Sequence, residues 1–155
     1  MKVIFLDIDG VLVRYKEVHD KRQSNGMHSF SQECVSRLNK IIDETGAELV
    51  LSSSWRIHGL DSFNNHARHQ GMSKLPFDVT PNLDSKLESG VYVAKQRGDE
   101  IKHWLDRHPE VTHFVAIDDS SDMRGVEDHF VHVKSGMDTG LQDSHVEKAI
   151  KLLRD

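Results

Sequence analysis

Val3-Ile4-Phe5-Leu6-Asp7-Ile8-Asp9-Gly10-Val11-Leu12 is an apolar run that ends in two aspartates one residue apart. Val3 to Leu6 is short, continuous and rich in β-branched and aromatic side chains, the pattern of a strand buried on both faces. Asp7 and Asp9 emerge where that strand stops, and Gly10 lets the backbone turn sharply. In open α/β sheets, ligands bind just outside the carboxyl ends of the strands. Burying unpaired carboxylates is costly, so two acids in such a place call for a counter-charge, and a divalent cation is one.

A second acid cluster has the same design. Val115-Ala116-Ile117 is another short apolar run, and it leads into Asp118-Asp119-Ser120-Ser121-Asp122. A third run, Ala47-Glu48-Leu49-Val50-Leu51, leads into Ser52-Ser53-Ser54-Trp55-Arg56. Lys95 and Arg97 stand just before a helical stretch that precedes the Asp118 cluster. In chain order, then, the strand ends carry Asp-x-Asp, serine and Asp-Asp, with a cation before the last.

The segments DIDGVL, LVLSSSWR, KQRGDEI and VAIDDSSD together resemble the four motifs of haloacid dehalogenase-like (HAD) phosphohydrolases. They are most similar to the branch named for the phosphatase domain of Swiss Army knife RNA repair proteins, in which a late Gly-Leu pair, here Gly140-Leu141, also recurs. The resemblance runs from Lys2 to Leu153. It implies that Asp7 is a nucleophile forming an aspartyl-phosphate, and that Asp9 is the general acid for the leaving oxygen and then the general base for water. It further implies Mg²⁺ as cofactor, held by Asp7, Asp118 and the carbonyl of Asp9, with Asp119 and Asp122 as candidates for a further ligand. Gly10, Ser52 and Ser53 would border the phosphoryl group. Lys95, Arg97 and Lys102 compete for the third-motif cation. Arg56 could grip a second phosphate or pair with an acid, and Trp55 could anchor the core or stack a base.

The chemistry explains why such motifs come as a set. Two like charges 4 Å apart repel by roughly 4 kcal/mol at an effective dielectric near 20, and a doubly charged phosphate roughly doubles that. Since tenfold in rate is about 1.4 kcal/mol, an uncompensated carboxylate attack would lose several decades. A metal ion, a cation and fixed hydrogen-bond donors supply the missing positive charge.

Composition sets outer limits. A chain of 155 residues is expected to form a single domain, residues 1–155. With 37% apolar and 29% charged residues it is a soluble globular type, and no run approaches the roughly 18 apolar residues of a membrane span. Twenty basic against 25 acidic residues leave a net charge of −5, which argues against strong nonspecific nucleic-acid binding. Cys34 is the one cysteine, so there is no internal disulfide. A cytoplasmic location is the plain expectation. Eleven histidines include the pairs His66/His69 and His103/His108, but neither has zinc-helix spacing, and surface positions are the simpler reading.

The remaining pattern is α/β. Phe30 to Glu44 has helical spacing, with Val35, Leu38, Ile41 and Ile42 on one face and Gly46 placed to end it. Helices are predicted over 56–70 and 99–107 and from Asp143 or Ser144 onward, and strands over 113–117 and 130–133. Residues 13–29 read as a loop or short hairpin and 71–89 mainly as loop, with a short strand near Phe77-Asp78-Val79. The expected fold is a doubly wound, HAD-like Rossmannoid parallel sheet with helices on both faces and minimal or no cap. The expected function is a Mg²⁺-dependent phosphatase whose substrate is a small phosphomonoester, such as a nucleotide, or a phosphorylated nucleic-acid end. An inactive relative that binds a phosphorylated ligand or partner is the alternative.

Overall fold

The computed structural model describes residues 1–155. Its centre is a five-stranded, wholly parallel sheet built from β1 (Lys2–Leu6), β2 (Glu48–Leu51), β3 (Asp78–Val79), β6 (His113–Asp118) and β7 (Phe130–His132), in the order β3-β2-β1-β6-β7. Strand β1 therefore sits in the middle, and the chain reverses its direction of travel across the sheet there. Outside it lies a two-stranded antiparallel hairpin of β4 (Ser85–Lys86) and β5 (Tyr92–Val93).

Side-chain alternation divides the core in two. Ile4 and Leu6 of β1, Leu49 and Leu51 of β2, and Val115 and Ile117 of β6 face a large cluster shared with α2 (Gln32–Thr45), α3 (Leu60–His69) and α5 (Asp143–Leu153). Val3, Phe5, Val50 and Ala116 face the opposite way, against Ile101 and Trp104 of α4 (Arg97–Asp106) and against Met123 and Val126. Both faces are covered, which is why these strands read as unbroken apolar runs. Helix α2 starts where the Ser31 hydroxyl accepts a hydrogen bond from the Cys34 amide, and it stops at Gly46, whose φ of 70° gives a left-handed cap. Cys34 is buried, a small filler beneath the Thr139–Leu141 backbone.

Several boundaries differ from the sequence expectation, each for a local reason. Residues 13–29 are not a hairpin: they contain a short helix α1 (Tyr15–His19), closed by Arg14 and Glu17, whose carboxylate accepts hydrogen bonds from both the Arg14 amide and its guanidinium. No apolar period marks a helix held by one ion pair. Residues 56–70 are not one helix either, because a 3₁₀ turn, Ser54–His58, comes first and Gly59 at φ 80° separates it from α3. Helix α4 begins two residues earlier than expected, at Arg97, because Asp122 accepts hydrogen bonds from the Arg97 amide with its carboxylate and from the Gly98 amide with its carbonyl. The loop expected over 71–89 gives way at its end to the β4–β5 hairpin, which is the only extra structure between the second and third motifs.

Candidate active site

Parallel register brings the candidate residues together. Leu6 pairs with Leu51 on one side and Ile117 on the other. The next residue of each strand therefore continues one row: Asp7 donates its amide to the Ile117 carbonyl, and Ser52 donates its amide to the Leu6 carbonyl. Leu6, Leu51 and Ile117 face the α2/α5 side, so alternation turns Asp7, Ser52 and Asp118 toward the α4 side, where Arg97 opens its helix.

Three carboxylates form a cluster at this edge. Oxygens of Asp7, Asp118 and Asp119 all lie within 4.8 Å of one another. Asp7 is only 7% exposed and Asp118 only 2%. Burial pushes the Asp7 carboxyl well above its ordinary value, the neighbouring Asp118 pushes it further, and the Arg97 guanidinium pulls it back in part. Burial likewise raises Asp118, to about 6, against the Ser120 amide and Arg97, which favour its charged form. Two acids held like this want a cation. The all-oxygen donor set is one that Mg²⁺ accepts, so the residues fit the ion that the motifs imply.

Asp119 is seated by one residue of the first motif and by two that lie outside the motifs. A Cβ on Gly10 would lie 2.1 Å from its Oδ2, and one on Gly136 would lie 3.1 Å from the same oxygen. Both glycines have positive φ, 79° and 43°. The Asp119 carbonyl also faces His132 Nε2 at 3.1 Å. The missing side chain of Gly10 is thus the space that admits the Asp119 carboxylate.

Three buried polar atoms at the same edge lack a partner within the protein: Ser52 Oγ, Arg97 Nη1 and Asp122 Oδ1. Such atoms are rare because each costs a hydrogen bond, and an anion with several acceptor oxygens would satisfy the hydroxyl and the guanidinium together. Ser53 is different. It is fully buried, and its hydroxyl accepts from the Trp55 amide to start the 3₁₀ turn.

The three candidate cations separate clearly. Arg97 is half-buried and is the one that acts electrostatically on Asp7 and Asp118. Lys95 is exposed, with its amide donating to Asp84, and Lys102 is exposed and pairs with Asp99 at 3.8 Å. Arg56, which sequence reading left open between a phosphate and an acid, makes a two-pronged pair with buried Glu100 at 3.1 and 3.2 Å. Glu100 went unnoticed in the sequence. It also accepts the Leu83 amide and lies 4.0 Å from Arg97 Nε, so it fixes both arginines. Its spacing from Arg97, one helical turn, was the available signal. Arg14 pairs with Glu17 and Glu33, while Lys16 is exposed.

Trp55 was also undervalued. Only 6% exposed, it packs edge-on against Phe30, Phe63 and His58, with His66 stacked 6.1 Å away. Its indole nitrogen donates to Asp9 Oδ1 at 3.0 Å. His66 is not a surface residue but a buried one. Its Nε2 donates to the His28 carbonyl and its Nδ1 accepts from Asn25, an arrangement of the neutral ring that burial favours.

The family model for the HAD domain in Swiss Army Knife RNA repair proteins matches residues 3–146. The chain belongs to this family. Membership places this HAD domain among the HAD-type hydrolases, a family that typically uses Mg²⁺, and the acid cluster lies inside the matched span. No curated protein matches the chain. No helix of this HAD domain is long and apolar enough to cross a membrane.

Proposed function

We propose that this HAD domain, as a single unit of residues 1–155, is a Mg²⁺-dependent phosphomonoester hydrolase that works through an aspartyl-phosphate. Its substrate would be a nucleotide or a phosphorylated nucleic-acid end, a class suggested by the RNA repair proteins for which its family is named. One observation carries the reading: three carboxylates of two separate strand ends crowd within 4.8 Å beside a half-buried guanidinium that has an unpartnered N–H.

Asp7, Asp118 and Asp119 would hold the ion by their carboxylates. When bound, Mg²⁺ supplies positive charge that offsets the repulsion between an attacking carboxylate and a phosphate dianion. Arg97 and the Ser52 hydroxyl would hold the non-bridging phosphoryl oxygens, their unpartnered donors finding acceptors there. An Asp7 oxygen attacks phosphorus as the bond to the leaving oxygen breaks, and Asp9 gives its proton to that oxygen, releasing an alcohol. A water molecule then loses a proton to Asp9 and attacks the same phosphorus. The bond between phosphorus and the Asp7 oxygen of the acyl phosphate breaks, and inorganic phosphate leaves with both aspartates returned to their starting states. Splitting the displacement in two is the benefit of covalent catalysis, and Asp9 serves both halves.

Phosphate release from mononucleotides, sugar phosphates and 3′- or 5′-phosphorylated oligonucleotides, with MgCl₂ or with excess EDTA, tests the reading. Turnover that needs the ion and vanishes in Asp7→Asn is expected. Full activity in EDTA, or in the Asp7→Asn protein, would refute it.

A further inference from the structure

Two grooves meet at the Ser54–Ile57 turn, sharing Ser54 and Ile57, and they differ in chemistry. One, of about 650 Å³, is bordered by Arg97, Arg56, Thr80, Asn82 and Asp84. The other, of about 520 Å³, is bordered by Asp9. From the groove on the Asp9 side we infer the identity of the leaving group: it is a nucleoside, with its base seated between Val18, Met27, Ile57 and Met137. This inference rests on the phosphatase reading and deepens it.

The side follows from the reaction. In a displacement at phosphorus the leaving oxygen departs opposite the nucleophile and must receive a proton as it goes. The group that supplies the proton must therefore border the space that the leaving group enters. Asp9 borders this groove and not the other, whereas Arg97 borders the other and not this one. Trp55 donates to Asp9 Oδ1, which leaves Oδ2 without a hydrogen bond inside the protein.

The class of leaving group follows from the walls. Trp55 cannot be the platform, because its ring is already packed on by Phe30, Phe63 and His66. The open apolar surface belongs to Ile57, which is 85% exposed on the ridge between the grooves, to exposed Val18 and to half-buried Met137, with the buried Met27 side chain closing the wall behind them. Polar groups in this groove include the Arg22 guanidinium, the His28 and His58 imidazoles and the Ser54 hydroxyl, each with an N–H or O–H to offer, and Asp9 is its one acid. A sugar polyol needs dense hydrogen bonding and would be desolvated against these side chains without it. A phenol would use the apolar walls and leave the donors idle. A base offers a flat apolar face and acceptor atoms on its edge, so it uses both, and the volume is in the range of small-molecule sites.

Two measurements test this. The first compares kcat/KM for adenosine 5′- and 3′-monophosphate, glucose 6-phosphate and phosphotyrosine, with MgCl₂, in wild type and Ile57→Ala. The better nucleotide should lead the other two classes by at least about tenfold, and Ile57→Ala should cut the nucleotide-to-sugar ratio about tenfold, as removal of apolar contacts in a pocket does. The second adds adenosine alone to the metal-free protein and follows the Trp55 indole N–H resonance, which should shift in a saturable way. Equal turnover of all three classes, a lead for phosphotyrosine, or an unmoved Trp55 resonance would each overturn the inference while leaving phosphatase activity standing. Failure to hydrolyse any of the three, together with 3′- and 5′-phosphorylated oligonucleotides, would instead remove the phosphatase reading and the inference with it, even if adenosine bound.

Discussion

Trp55 donates its indole N–H to Asp9 Oδ1 across 3.0 Å, joining the residue that follows the serine strand end to the second acid of the first strand. The indole is locked by an aromatic cluster of Phe30, Phe63, His58 and His66, and His66 is in turn held by Asn25 and the His28 carbonyl. A proton carrier whose carboxylate could rotate would lose its alignment with the leaving oxygen. On the proposed mechanism Trp55 would be a positioning residue for Asp9.

Trp55→Phe keeps the ring packing and removes the N–H. A hydrogen bond to a charged group contributes about 1.5–3 kcal/mol, so kcat should fall about tenfold or more. KM should change much less, because the indole N–H touches no substrate atom. Trp55→Ala should also cost about 3–5 kcal/mol of stability through the cavity it leaves. Steady-state kinetics beside thermal melts separate the two; a kcat unchanged in Trp55→Phe would dismiss the positioning role.

Lys95 and Arg97 give a second contrast. Only Arg97 is half-buried and acts on Asp7 and Asp118. Arg97→Ala should lower kcat/KM by about 10²–10³, the scale of losing one preorganised donor to developing charge. Lys95→Ala should stay within about threefold of wild type, since an exposed charge is screened. Equal, mild losses in the two variants would leave the phosphate without a cationic grip.

Gly10→Ala tests how Asp119 is placed. The added methyl would meet Asp119 Oδ2 at 2.1 Å, on a backbone with φ of 79°. Strain at such a φ costs on the order of 1 kcal/mol, and the carboxylate must move away from Asp7 and Asp118. Mg²⁺ affinity by calorimetry should drop at least about tenfold, beyond what the stability loss accounts for. Unaltered affinity would mean that Asp119 is not a ligand.

Protonation of the acid pair gives a pH signature. In the unfolded chain Asp7 and Asp118 ionise near 3.8, whereas in the folded, ion-free protein burial raises both, Asp118 to about 6. The native state thus binds more protons than the unfolded one over this window. The pair's contribution to stability is intact below pH 4, falls as pH rises, and is lost above the raised values. Asp118→Asn removes the share of Asp118 and its push on Asp7, leaving the burial of Asp7, so the stability of the variant relative to wild type, both in EDTA, should increase from pH 4 to pH 7. Mg²⁺ competes with those protons, so it should raise the wild-type Tm more at pH 7 than at pH 5. Melts that show no pH-dependent difference between variant and wild type would contradict the buried-pair account.

Periodicity and end chemistry carried much of this molecule in plain view. Unbroken apolar runs at residues 3–6, 49–51 and 115–117 marked strands covered on both faces, and polar residues at their carboxyl ends marked the sheet edge where a site belongs. Less visible were elements that rest on single polar contacts. Helix α1 depends on Arg14 and Glu17, and the early start of α4 depends on Asp122, which is distant in sequence from Arg97. No local window contains both partners of such a contact.

What the chain alone determined is the set of reactive groups and the sheet that would display them, because burial of apolar strands is a local, repetitive signal. Which groups meet was decided by register: Leu6 beside Leu51 and Ile117 aligns Asp7, Ser52 and Asp118 in one row facing α4. The choice of Arg97 over Lys95, the tether from Trp55 to Asp9, and the glycine-lined seat of Asp119 also came only from folding. Hydrogen bonds and Coulomb forces act over a few ångströms of space, and sequence separation carries no record of those distances.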